Sequence, residues 1–229
     1  MIIEEEIKKL SLVLFLSTIM CTGCVSFSNN TINSSYEEWI DEIGVLSEKG
    51  LKVDTYREAD DYIEIVMRCD NSENQFTQFN ALVQKHNDFA EKKTGYFENR
   101  SIYFIYEDAF LTYFSNPCEH YGNQYLNEIS TNEETMSFLK INCSSMVNEL
   151  EKQEIKFDVP NLILSASNTK SPDFQVYSVL SQFTNLENVI VDYRVADYDI
   201  AQIAGYIHEY VPNVHIYDKN KDHLEEYIP

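Results

Sequence analysis

Glycine and proline are scarce, six and five in 229 residues. Loops that wrap a phosphate need glycine where the backbone approaches the anion, and neither a G-x-x-x-x-G-K-[ST] nor a G-x-G-x-x-G run occurs. The chain also lacks a G-x-S-x-G elbow, an H-E-x-x-H pair and a D-x-[DN]-x-[DN]-G loop, so these hydrolase, zinc-protease and calcium-site patterns are absent. Basic charge is short as well: 17 Lys and Arg stand against 38 Asp and Glu, a formal charge of -21. Nucleic-acid binding depends on clustered cations that release counterions, and this surface repels phosphate backbones. The same field holds the body off anionic lipid, so membrane contact requires a dedicated anchor.

Apolar content is 44 %, ample for a core. The longest apolar run near the start, Leu10–Met20, covers eleven residues behind Lys8 and Lys9. A spanning helix needs about 20 apolar residues, whereas this length suits the apolar region of a secretory signal. "CTGC" follows at residues 21–24.

That placement resembles the lipobox of bacterial lipoproteins. The resemblance implies cleavage after Gly23 and a diacylglyceryl thioether on Cys24, a palmitate-bearing anchor strong enough to hold the chain at the membrane. It covers the first 24 residues only. Two departures stand out: Cys21 occupies a position usually held by Leu, and Glu4, Glu5 and Glu6 dilute the charge of the leader. Simple secretion after cleavage at Gly23, or an uncleaved anchor, are the other readings. The expected address is extracytoplasmic, at the cell envelope of a low-GC Gram-positive-like bacterium.

The expected organisation is a signal peptide over 1–23, a polar tether over 24–34, a first α/β lobe over 35–130 and a second over 131–229. Trp39, Ile40, Ile43 and Leu46 form a helical stripe closed by Gly50. "LKVDTYR", "DYIEIVMRC", "SIYFIY" and "FLTYF" read as strands. Phe76, Phe79, Leu82 and Val83 mark a helix between the second and third. In the second half, Thr131 with Glu134 suggests a capping box. Met136, Leu139, Cys143, Met146 and Leu150 then suggest a helical face. "EIKFDV", "NLILSAS", "NVIVDYRV" and "NVHIYD" read as further strands, with helices at "DFQVYSVLSQF" and "DIAQIAGYIHEYV".

The predicted fold class is α/β (α+β), with helices packed on a mixed β-sheet. An α-β-β-α-β order recurs, and "LSEKGLKVD" from Leu46 aligns without gaps on "LEKQEIKFD" from Leu150. An internal duplication explains this; so does chance similarity between two helix-to-strand junctions.

Candidate chemistry is thin. If Cys21 leaves and Cys24 is acylated, Cys69, Cys118 and Cys143 remain, an odd number without a C-x-x-C. His208, His215 and His223 with Asp218 and Asp222 do not present an i, i+4 ligand pair. "PCEH" at 117–120 places a thiol beside an imidazole, but triads assemble in space from separate segments. The acid pairs Asp60 with Asp61 and Asp197 with Asp199 lack a calcium-loop frame. No catalytic residue, metal ligand or cofactor is therefore assigned. Tyrosine is plentiful at 16, and Tyr193, Tyr198, Tyr206, Tyr210 and Tyr217 form the candidate partner surface, since tyrosine offers rigid area with a polar tip. The sequence favours a non-catalytic binding or interaction module. An envelope hydrolase or a small-solute-binding protein with a site between the lobes is the alternative.

Overall fold

The computed structural model describes residues 34–69, 75–92, 96–97, 100–106, 110–115, 129, 137–143, 150, 155–166, 174–194, 198–220 and 223–229. Helix α1 (Ser34–Glu48) ends where the stripe predicts, with Gly50 at φ 108, a conformation that costs glycine little. The strands are β1 (Leu51–Glu58), β2 (Tyr62–Cys69), β3 (Ser101–Tyr106), β4 (Leu111–Ser115), β5 (Ser137–Asn142), β6 (Asn161–Ala166), β7 (Asn188–Tyr193), β8 (His215–Asn220) and β9 (His223–Glu226). Helix α2 (Gln75–Glu91) lies between β2 and β3, a 3₁₀ helix (Phe174–Gln182) between β6 and β7, and α3 (Ile200–Tyr210) between β7 and β8.

All nine strands join one sheet whose spatial order is the chain order. The pairs β2/β3, β5/β6, β6/β7 and β7/β8 are parallel. The pairs β1/β2, β3/β4, β4/β5 and β8/β9 are antiparallel. Six strands, β2, β3 and β5 to β8, therefore point the same way and end along one edge. Crossovers between parallel strands share one hand, and here each step advances in the same direction across the sheet. Their helices consequently fall on one face. Trp39 and Leu46 of α1, Phe79 and Leu82 of α2, Tyr177 and Leu180 of the 3₁₀ helix, and Ile203 and Ile207 of α3 share one core with the inward side of the strands.

The opposite face carries a second apolar cluster. Tyr103, Phe114 and Phe138 lie side by side on β3, β4 and β5, their ring centroids 6.3 and 5.3 Å apart, and Ile163 and Ile190 extend the row. Ile129 packs on it. Burial on both faces makes strands such as "NLILSA" and "NVIVDY" almost continuously apolar, as parallel sheets require. The β4 and β5 strands pair across the 130/131 position, so the sheet runs unbroken from one half of the chain to the other.

Three expectations need correction. The helix expected around Leu139 and Cys143 is strand β5 over Ser137–Asn142. Phe138, Leu139 and Ile141 are all buried, because this strand is covered on both sides, and apolar residues on two faces mimic a helical period. Leu150 is helical and buried, but residues 144–149 and 151–154 lie outside the described residues. "DFQVYSVLSQF" folds as a 3₁₀ helix instead of an α-helix. Buried Tyr177, Leu180 and Phe183 follow one another at a spacing of three, the period of that helix. Finally, "EIKFDV" contributes an isolated bridge, Phe157 to Phe183, instead of a full strand. The α-β-β-α-β order appears over Ser34–Tyr106; among the described residues of the second half, the bridge at Phe157, strand β6, the 3₁₀ helix and strand β7 follow helical Leu150.

Candidate functional site

Polar groups inside apolar strands are costly unless paired, so they mark where the sheet departs from simple packing. Lys140 interrupts "SFLKIN" on β5 and Asp192 interrupts "NVIVDY" on β7. Both lie on the face opposite the helices, as does Lys219 of β8. Lys140 Nζ stands 3.8 Å from Asp192 Oδ2, and Lys219 Nζ stands 3.6 Å from Asp192 Oδ1. Each carboxylate oxygen thus faces a different ammonium. The Asp192 side chain is 7 % exposed, Lys219 14 % and Lys140 34 %.

Register explains the convergence. Ser165 of β6 pairs with Asn142 on one side and Asp192 on the other, while Lys140 pairs with Ile163. Lys140 must therefore reach across β6 to meet Asp192, which a four-carbon stem can do. The Ser165 hydroxyl donates to the Ile141 carbonyl at 3.2 Å. Burial is the main influence on Lys140 and lowers its pKa; Asp192 opposes this, while Lys219 and Arg194 add to it.

On the helix side of the same edge lies a phenolic cluster. The Tyr177 and Tyr193 hydroxyls are 3.1 Å apart, Tyr206 stacks on Tyr177 at 5.6 Å, and Tyr198 meets Tyr193 edge-on at 5.7 Å. The Tyr198 hydroxyl donates to Asp218. Burial raises Tyr177 to about 12 and pushes Tyr193 well above the usual tyrosine range. Tyr198 is raised too, by burial first and then by the Asp218 carboxylate it serves.

The five tyrosines named from sequence divide accordingly. Tyr193, Tyr198 and Tyr206 come together, but Tyr193 is 4 % exposed and belongs to the core. Tyr210 is exposed at the end of α3. Tyr217 packs on the other face of the sheet with Ile163 and Ile190, so the five do not share one surface.

Other candidates resolve into structural roles or fall outside the described residues. Cys143 is a free, buried thiol raised to about 12, chiefly by burial. Cys24, Cys118, the "PCEH" tetrad, Asp197 and Asp222 lie outside the described residues. Asp199 caps α3, its Oδ1 accepting from Ala201 N at 2.9 Å and Gln202 N at 3.3 Å. His215 Nδ1 meets Glu226 Oε1 at 2.7 Å across β8 and β9, and His208 lies near the Val214 carbonyl at 3.4 Å. Among the described residues no three His, Cys, Asp or Glu side chains gather as a metal site. Ser137 and Lys140 match an S-x-x-K tetrad, which brings its two groups together on a helical turn. On strand β5, residues three apart point to opposite faces, so this pair cannot act as a dyad.

Lys140, Asp192 and Lys219 were not singled out from sequence. Charges at positions 140 and 192 inside apolar runs were the available signal, hidden in the first case by the expected helix. Comparison with protein-family models, with curated proteins and with solved structures finds no match.

Proposed function

We propose that the chain is a lipid-anchored protein of the cell surface whose body binds a partner or ligand without transforming it. Support for the address comes from the "CTGC" motif behind its eleven-residue apolar run. The observation that carries the binding reading is the burial of the Cys143 thiol and of the Tyr177 and Tyr193 hydroxyls, the latter two 3.1 Å apart, at the edge where the parallel strands end. The Cys143 thiol and the Tyr177 hydroxyl are each pushed up to about 12. A nucleophile or general base working near neutral pH needs the opposite displacement. These groups are therefore kept as neutral hydrogen-bonding and packing elements.

The hydrolase alternative rests on one observation, the burial that lowers the Lys140 pKa, the direction in which a lysine base is tuned. Asp192 works against it by favouring the charged ammonium.

Cross-linking in intact cells, followed by identification of the captured proteins, separates the readings. The expected result is a reproducible surface or secreted neighbour, enriched over an unrelated anchored control. Capture of nothing above that control overturns protein binding and leaves a small ligand or substrate.

A further inference from the structure

We infer that helices α1 and α2 form an acid-released cover, which opens as a unit while the 3₁₀ helix and α3 stay docked, and which uncovers the aromatic face of β3 and β4. The device belongs to the fold and does not depend on the proposed function.

Three observations carry it. First, the helical layer is divided: α1 packs on α2, and the 3₁₀ helix packs on α3. The first pair lies over β3 and β4, where Trp39 stacks on Phe104 at 5.9 Å, Phe79 meets Tyr106 at 6.0 Å and His86 meets Tyr113 at 5.6 Å. The second lies over β7, where the Tyr177 and Tyr193 hydroxyls are 3.1 Å apart and Tyr206 stacks on Tyr177. Opening of the first pair leaves these tyrosine contacts in place.

Second, unpaired polar groups are concentrated in the first pair. Six buried side-chain polar atoms have no partner among the described residues, and five of them are on α1 and α2: Trp39 Nε1, Gln78 Oε1, Asn80 Oδ1, Gln84 Nε2 and His86 Nδ1. Each regains hydrogen bonds to water when the cover opens, so this pair is the weaker part of the layer. Phe76, Phe79, Leu82 and Val83, fully buried on α2, keep it closed at neutral pH.

Third, His86 supplies the trigger. Trp39 of α1, Phe97, Phe104 of β3, and Tyr113 and Ser115 of β4 lie against its ring. Tyr113 is the one titratable group among them, and burial keeps its phenol neutral by raising its pKa. None of the five is a carboxylate that could hold an imidazolium. On α2 itself, Lys85 reaches Glu42 of α1 at 3.3 Å and Asp88 is exposed. Burial lowers the His86 pKa from 6.5 to about 3. The opened cover therefore takes up a proton below pH 6.5 and the closed one does not. Each pH unit below that value multiplies the opened population about tenfold.

The test is hydrogen exchange of the backbone amides of the full chain at pH 6.5 and pH 4.5, corrected for intrinsic rates. At both pH values the amides of α1 and α2 are expected to share one protection factor, about tenfold or more below that of the β6 and β7 amides. Between pH 6.5 and pH 4.5 that shared factor is expected to fall about a hundredfold. His86→Leu leaves Glu42 and Lys85 in place, and its α1 and α2 protection is expected to change by less than about threefold over the same range.

Equal protection throughout the body would mean a single global opening and would overturn the proposal. So would separate protection factors for α1 and α2, or a fall in His86→Leu as steep as in the native chain. Should His86→Leu fail to fold, the native chain decides alone, because α1 and α2 protection unchanged between the two pH values removes the acid trigger.

Discussion

Trp39→Ala is expected to lower the stability of the body by about 3–5 kcal/mol, the range for truncating a large buried aromatic. Trp39 is fully buried beneath α1. It stacks on Phe104 at 5.9 Å and meets Phe97 at 5.2 Å and Phe89 at 5.9 Å edge-on. The residue thus joins α1 to α2 and to β3 in a single packing unit. Its indole nitrogen has no hydrogen-bond partner among the described residues, a feature that costs stability in the native protein. Trp39→Phe keeps most of the ring area and removes that orphaned donor, so it should lose less than half as much as Trp39→Ala. Urea unfolding monitored by far-ultraviolet circular dichroism measures both. Equal losses for the two variants would show that the ring contacts are not what Trp39 contributes.

Mild acid is expected to destabilise the protein through His86. This imidazole is buried on α2 among Trp39, Phe97, Phe104 and Tyr113. Nε2 is 3.2 Å from the Ser115 hydroxyl, and Nδ1 has no partner among the described residues. Burial lowers its pKa from 6.5 to about 3. The sign follows directly. The unfolded chain takes up a proton below pH 6.5 and the folded chain does not, so stability is complete above pH 6.5 and is lost as pH falls towards 3. Two pH units inside that window correspond to about 2–3 kcal/mol between pH 7 and pH 4.5.

The acidic surface complicates the raw profile, because partial neutralisation of -21 relieves self-repulsion over the same range. The informative quantity is the difference in pH slope between the native protein and His86→Leu. The variant is expected to be less sensitive to acid, even if it is less stable at pH 7. Parallel slopes would mean that His86 does not remain neutral inside the fold.

Legibility of the fold followed how each element is covered. Helices α1, α2 and α3 each bury one stripe against the sheet, which leaves a period of 3.6 in the sequence. Strands β1 to β4 carry β-branched and aromatic runs bounded by polar turns, and they stood where expected. The misread element was β5, buried on both faces, where Phe138, Leu139 and Ile141 suited either reading and the Thr131–Glu134 pattern tipped it to a helix. Strand β9, "HLEE", was too short and too charged to announce itself; its partner β8 supplies the ladder that defines it. The 3₁₀ helix shares its apolar residues with an α-helical pattern, and only the regular spacing of three in Tyr177, Leu180 and Phe183 separates the two.

The candidate site was less legible for a different reason. A lysine or aspartate inside a strand announces a buried charge but not its partner, and Lys140, Asp192 and Lys219 are brought together only by the β5-β6-β7-β8 order. The tyrosines, by contrast, were conspicuous in composition, yet alternation along β7 and β8 sends Tyr193 and Tyr217 to opposite faces.

Attachment at Cys24 decides whether this acidic body works at a membrane surface, and metabolic labelling with a palmitate analogue measures it directly. Cells producing the full chain are expected to incorporate label into the protein, and Cys24→Ala is expected to abolish incorporation and release the protein from the membrane fraction. Label retained in Cys24→Ala, or absent from the native chain, would contradict a lipid-anchored binding protein.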